Sequence, residues 1–469
     1  MIFMKKQIDC QKNTTLDYIV YSIIGLLFCL DYIYSTINSE NIIVSFLFLI
    51  VGSVTFFEYI RDNRLFSINK FIMIYLFVFE YLAPYKQYIT NYNIWSLASF
   101  SNADYIVSLL LVLLFLFCYL FGTKRLFKRV KSITFKFGKK NTEKKLIRIN
   151  NRSLLLLTLE VLLCLYYLYS KNQLINLGVS GESSNQADTI QIFITVIIRF
   201  LPIACILFVF FANKYGLVNC SKNKVKAFGV FCSLAAFIIF FPLNGTIPRY
   251  FLFSVYIMLG MIILEKFKHR SIVMVGILLG FVYIFPAFNF FKYHNITEIS
   301  QFALGGLDFN FYDYDAHQLF MLTIKYCDMR GYVYGMNILT GIFCFIPRAI
   351  WSTKLYPSGQ IVSSAFNASF TNLSCPIYSE FYLAFGFLGI IVFTFMLSYL
   401  VKLYDKKVEL IKVIPNIINV IVIGMSIYIM RGAFLPTMSY LLGMFLAVAI
   451  VYFSNLLCTK IRMRFYDKD

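Results

Sequence analysis

Basic residues alternate along this chain. Of its 43 Lys and Arg, 33 fall in every second gap between apolar runs, starting with the N-terminal stretch, and the intervening gaps are nearly bare. The rich gaps carry Lys5, Lys6 and Lys12; Arg61, Arg64 and Lys70; twelve basic residues between 124 and 152; Lys214, Lys222, Lys224 and Lys226; Lys266, Lys268 and Arg270; Lys402, Lys406, Lys407 and Lys412; then Lys460, Arg462, Arg464 and Lys468. The poor side holds Lys86, Lys171, Arg249, Lys292, Lys325, Arg330, Arg348, Lys354 and Arg431, while Arg199 falls inside a run. Such a pattern predicts a chain threaded through a bilayer with its basic loops in the cytoplasm.

Twelve apolar runs approach the ~20 residues that a membrane helix needs. They cover roughly 18–37, 41–60, 68–84, 105–121, 153–169, 190–212, 225–241, 246–264, 272–290, 378–401, 413–430 and 434–457. An even count places both termini in the cytoplasm. With 59% apolar residues and a mean hydropathy of +0.72, the composition excludes a soluble globule, for which ~45–50% is usual. The expected fold is therefore all-α and polytopic, one integral membrane domain over residues 1–469. The first run has no small-residue cleavage site and is read as a retained anchor. The +20 charge is a topology signal. Scattered over short loops and tails, it gives no basic face for nucleic acid. Heavy use of Ile, Asn, Lys, Phe and Tyr is that of an AT-rich bacterial gene, so the expected location is a bacterial cytoplasmic membrane.

No internal repeat of the transporter kind is visible. The chain is lopsided instead, with one outer loop of about 85 residues before the tenth run, and loops that long usually carry function. Its expected span is 291–377, with an interfacial or re-entrant helix near 332–347 that ends at Pro347 and leaves Arg348 at its mouth. The two tryptophans, Trp95 and Trp351, both lie in outer loops, where interface anchors belong. Of eleven cysteines, only Cys327, Cys344 and Cys375 are outside, and no CxxC pair occurs, so no disulfide framework is expected.

Within that loop, Phe345-Ile346-Pro347-Arg348-Ala349-Ile350-Trp351-Ser352-Thr353-Lys354 is followed by Gly359, and Ser379-Glu380 leads through Gly386 and Gly389 into the next run. This pattern resembles the Wzy-type oligosaccharide repeat-unit polymerases of O-antigen and capsule pathways. Upstream, Tyr314-Asp315 and Gly335 stand where that family places an Asp and a Gly. By motif the resemblance covers about 308–389, and by architecture the whole chain. The family's Arg-x10-Gly pattern has matches in Arg348 with Gly359 and Arg249 with Gly260, of which only the first lies in a loop. The resemblance implies a GT-C-like architecture, an undecaprenyl-pyrophosphate-linked oligosaccharide as substrate, a chain-length regulator as partner, and no cofactor.

Such a reaction moves a glycan from a polyprenyl diphosphate onto the terminal sugar of a second lipid-linked unit. The leaving diphosphate calls for fixed cations at headgroup depth, and the planar fork of arginine suits it. Arg348, Arg249, Arg431 and Lys354 lie within a few residues of an outer boundary, where cations that merely snorkel also lie. Arg199 falls near mid-bilayer, where charge is costly; it either pairs with Glu160 of the preceding run or contacts substrate. For the base that takes the acceptor proton, Glu380 comes first, with His317 and Asp315 as alternatives. Glu380 equally suits the N-terminus of its own helix. Asp313-Tyr314-Asp315 is formally a metal-binding DxD, but a cationic diphosphate site needs no metal. An O-antigen ligase shares this donor chemistry, and a flippase or other transporter shares the span count. The spans, nearly clean apart from Asp31, Glu58, Glu80, Glu160 and Arg199, argue against a polar transport cavity.

Overall fold

A computed structural model describes residues 15–37, 41–127, 148–174, 189–241, 247–265, 267, 269–284, 309–310, 312–368, 373–405 and 413–466. Lys5, Lys6, Lys12, the basic stretch 128–147 and the first part of the predicted long loop, 291–308, lie outside the described residues. Every named element is helical: α1 Thr15–Ile37, α2 Ile42–Arg61, α3 Ile68–Phe77, α4 Ala83–Ile89, α5 Asn102–Phe121, α6 Asn151–Ser170, α7 Thr189–Lys214, α8 Lys222–Ile239, α9 Arg249–Ile263 and α10 Arg270–Leu279. After these come α11 Ala316–Arg330, α12 Met336–Ile342, α13 Ser358–Ala365, α14 Ile377–Asp405, α15 Val413–Gly424, α16 Ser426–Arg431 and α17 Phe434–Tyr466. Each of the twelve apolar runs contains helix. Among the described residues, six stretches are long and apolar enough to cross a membrane: Ile42–Arg61, Asn102–Leu126, Asn151–Ser170, Gln191–Lys214, Ile377–Tyr404 and Phe434–Thr459. The described residues form an all-helical structure, compatible with a polytopic membrane protein.

Two large apolar clusters divide the helices. One joins α2, α3, α5 and the first turns of α14 around Phe48, Tyr75, Phe115 and Tyr378. The other joins α6, α7, α8, α9, α15 and α17 around Leu157, Phe208, Phe251 and Val451. Tyr250, Met261 and Ile429 pack against both clusters, so α9 and α16 form the seam between them. A binding site is expected at such a seam.

Three departures from regular helix position the charged side chains. A π-helical turn, Val78–Leu82, joins α3 to α4 and carries Glu80 inward, the kind of widening that recurs at functional sites. Pro84 sits in the first turn of α4, where its missing N–H costs little, so helix runs on to Ile89 rather than stopping at 84. In α14 the backbone leaves helical geometry at Phe385 and Gly386 (φ 60°). The Tyr332 ring lies within 2.6 Å of where a Cβ on Gly386 would stand, and the freed Leu383 carbonyl accepts from Val333 N at 3.0 Å.

The long loop holds more structure than expected. Its largest helix is α11, whose His317, Gln318 and Thr323 are buried and which packs on α5 and α14. The interfacial helix expected near 332–347 is shorter. It begins at Met336, because Tyr334 (φ 50°) and Gly335 (φ 77°) are left-handed, and it ends at Ile342. Lys354 Nζ takes the carbonyls of Cys344 and Ile346, each at 2.8 Å, in place of further helical bonds. Nor does α12 lie apart from the bundle, since Gly341 meets the Phe434 ring at a distance that leaves no room for a Cβ.

Candidate functional site

At the end of the seam, four charged side chains from three segments interlock. The 3-10 turn Tyr312–Tyr314 separates two carboxylates so that each faces its own guanidinium. Arg249, the first residue of α9, places Nη1 2.5 Å from Asp313 Oδ2. Arg431, the last residue of α16, places Nη2 2.7 Å from Asp315 Oδ1. Its Nε donates to Tyr250 Oη at 2.6 Å, and Tyr250 Oη–H donates to the Asp313 carbonyl at 2.9 Å. Trp95 Nε1–H donates to Asp315 Oδ2 at 2.7 Å. The turn is pinned from behind by Gln87, whose Nε2 donates to the carbonyls of Phe309 and Tyr314.

Burial grades this cluster. Arg431 is 5% exposed and Asp315 1%, whereas the Arg249 side chain keeps 16% and is the open end. Burial pushes the Asp315 carboxyl above the ordinary carboxylate value, against the pull of Arg431 and of Trp95. Arg431 Nη1 is buried and has no hydrogen-bond partner among the described residues. A buried unpaired donor on a charged group is costly, and an anion would satisfy it. The arrangement is two guanidiniums held in place by carboxylates, with a donor to spare on Arg431 Nη1.

Two further networks begin within three residues of it along the chain, at His317 and at the Phe434 amide. His317, two residues past Asp315, places Nδ1 2.6 Å from Glu80 Oε2 and Nε2 3.0 Å from Ser108 Oγ, while Tyr378 Oη–H donates to Glu80 Oε1. All four side chains are buried completely. Glu380, in the first turn of α14, accepts from Asn337 Nδ2 and Ser358 Oγ at 2.7 Å on Oε2. Its Oε1 accepts from Phe434 N at 2.7 Å, so it caps α17 rather than its own helix. Asn337 and Ser358, from α12 and α13, cover it.

The structure thus brings Arg249, Arg431 and Asp315 together and places His317 and Glu380 in separate buried networks. The remaining expected cations go elsewhere. Arg348 donates from Nη2 to the Leu355 carbonyl at 3.1 Å and lies 4.4 Å over the Tyr356 ring, with Nε buried and without a hydrogen-bond partner among the described residues. Lys354 bonds the carbonyls of Cys344 and Ile346, just past the end of α12. Arg199 donates to Gln173 Oε1 at 3.4 Å, while Ser454 Oγ bonds Glu160; the bonds seen are these rather than an Arg199–Glu160 pair. Gly359 of the Arg-x10-Gly match stands where a Cβ would meet the Leu373 carbonyl, whereas nothing crowds Gly260. The DxD carboxylates face arginines, and among the described residues no group of three or more His, Cys, Asp or Glu is placed to hold a metal. Tyr250, Ser358 and Asn337 carried no sequence signal. Glu80 did, as one of the few acids inside an apolar run. No family model, curated protein or solved structure matches the chain.

Proposed function

We propose that this protein polymerises lipid-linked oligosaccharide repeat units at the outer face of a bacterial cytoplasmic membrane, as a Wzy-type polymerase does. The observation that carries this reading is the Arg249–Arg431 pair at the seam, with a spare buried donor on Arg431 and an open edge at Arg249. In the proposal the polyprenyl diphosphate of the donor enters at Arg249 and is held by both guanidiniums. The acceptor hydroxyl gives its proton to a carboxylate, its oxygen attacks the anomeric carbon, and the diphosphate leaves with the bonding electron pair. Charge grows on the leaving oxygens, and donors already oriented stabilise it without reorganising.

Glu380 is the base in this scheme. The Ser358 hydroxyl already donates to it at 2.7 Å, the contact that a sugar hydroxyl would make once α12 and α13 withdraw. Twelve crossings, cytoplasmic termini, a GT-C-like plan, undecaprenyl pyrophosphate as carrier and a chain-length regulator as partner complete the reading. An O-antigen ligase would use the same anion site and differs only in its acceptor.

The test is a glycan ladder. A deletion strain should make single-repeat product and regain its ladder with the parent gene; unattached polymer in its place would assign a ligase. Arg249→Lys keeps the charge but not the fork, and Glu380→Gln keeps shape but takes no proton. Each should lower elongation ~10²- to 10³-fold at equal protein level. Full ladders from both variants would remove the catalytic assignment.

Orientation is tested by single cysteines in a cysteine-free background. Ser96→Cys and Thr353→Cys, at exposed loop positions, should react with an impermeant thiol reagent in outer-permeabilised cells. Labelling only after lysis would reverse the topology.

A further inference from the structure

Beside the arginine pair stand two aromatic rings to which the diphosphate gives no role. The loop between α4 and α5 covers residues 90–101, and Gln318 of α11 fixes it from both sides. Its Oε1 accepts from Ile94 N at 3.0 Å, and its Nε2 donates to the Tyr92 carbonyl at 2.8 Å. Asn93 closes the next turn, accepting from Ser96 N at 3.1 Å and donating to the Ala98 carbonyl. Trp95 is thereby set against the 3-10 turn, and its ring stacks on that of Tyr312, with centroids 4.7 Å apart and planes inclined by 30°.

Two observations separate this pair from an ordinary interface anchor. An anchoring tryptophan turns its N–H towards headgroups and water, whereas Trp95 Nε1–H points inward to Asp315 Oδ2 at 2.7 Å, on the carboxylate whose other oxygen holds Arg431. The loop is also irregular backbone with Asn91 and Ser96 exposed, which belongs in water and not in hydrocarbon. Tyr312 is the outer member of the pair. It is 51% exposed, and among the described residues no ring other than Trp95 contacts it. Its carbonyl accepts from Arg431 Nη2 at 3.5 Å, so the open ring belongs to a residue that the buried guanidinium itself holds.

An exposed aromatic ring, fixed from behind, suits the apolar face of a pyranose. The axial C–H bonds of a sugar carry partial positive charge and meet the negative face of the phenol ring, while the sugar's hydroxyls stay free for water. A ring already held in place loses little side-chain entropy when it binds. Position selects the sugar. The Tyr312 carbonyl and the Asp315 carboxylate are both bonded to Arg431, so the platform adjoins the place proposed for the diphosphate, and the sugar nearest a diphosphate is the first one of a lipid-linked glycan.

We propose that Tyr312, backed by Trp95, is a stacking platform for the pyranose joined to the diphosphate of the lipid-linked donor, an inference that rests on the polymerase reading. Native mass spectrometry of the purified protein tests it with three probes: the lipid-linked repeat unit extracted from a deletion strain, undecaprenyl diphosphate without sugar, and uridine diphosphate. Y312A should weaken retention of the lipid-linked unit about fivefold and leave that of undecaprenyl diphosphate unchanged. Y312F, which keeps the ring, should match the parent on both. Equal loss on the two lipids would make Tyr312 a prop for the arginines, and no loss on either would leave the ring without a sugar. Each result overturns the platform and leaves the polymerase reading standing. Retention of uridine diphosphate that depends on Tyr312 would overturn it too, in favour of a nucleotide. A deletion strain with an intact ladder would instead overturn the polymerase reading, and the platform with it. Should Y312A not elute as a folded species, Y312L, which fills more of the space against Trp95 without offering a ring, decides between the same outcomes.

Discussion

Arg431→Ala is expected to remove polymer altogether and to lower the amount of folded protein several-fold. The substitution leaves Asp315, 1% exposed, without its guanidinium, and taking away one partner of a buried ion pair costs about 3–5 kcal/mol. A loss of product alone would therefore not separate catalysis from folding. The double variant Arg431→Met with Asp315→Asn does, because replacing both charges by uncharged groups of similar volume is often close to neutral. Asn keeps an acceptor for Trp95 Nε1, which donates to the aspartate at 2.7 Å. We expect fluorescence-detected size exclusion to show recovered protein and the glycan ladder to remain absent, since the diphosphate loses the buried one of its two guanidiniums. Should the ladder return with the protein, Arg431 is a strut and the anion site at the seam is wrongly assigned.

Glu80→Ala should be the most damaging change in the first apolar cluster. It strands the Tyr378 hydroxyl and a ring nitrogen of His317, both fully buried, and each unsatisfied buried group costs about 1–3 kcal/mol, or about 3–5 kcal/mol in all if the pair is ionic. Glu80→Gln should be far milder. Its carbonyl oxygen still accepts from Tyr378, and its amide donates to Nδ1 if the imidazole carries its proton on Nε2, facing Ser108 Oγ at 3.0 Å. The neutral ring permits that tautomer. Melting of the purified protein should show a large drop for Ala and a small one for Gln. Equal, large drops would mean that the carboxylate charge itself holds His317 in place.

These two predictions rest on pairings that no local pattern encodes. Arg249, Arg431 and Asp315 were legible as boundary residues, because a charge beside an apolar run stands out in one dimension. Glu380 was legible too, but its partners were not: Asn337, Ser358 and the Phe434 amide come from three other elements, and the helix that it caps starts 54 positions later. Lys354 read as one more cation for the site and instead ties off α12. The helix expected over 332–347 failed for a local reason, the left-handed Tyr334 and Gly335, which hydropathy does not register. Likewise α11 escaped notice because its buried face includes His317, Gln318 and Thr323, polar groups that find their partners only in the folded bundle.

By itself the sequence determined the apolar helical segments, the alternation of basic and bare gaps between them, and which charged residues flank them. Those properties follow from how each stretch partitions between lipid and water, a free energy summed over neighbours in the chain. Only the tertiary structure decided that α9 and α16 form a seam, that Asp313 and Asp315 divide between two arginines, and that Glu80 meets His317 237 positions away. In a low-dielectric interior a buried charge is tolerable only beside its partner, so the packing of distant helices, and not the local sequence, selects which charges meet.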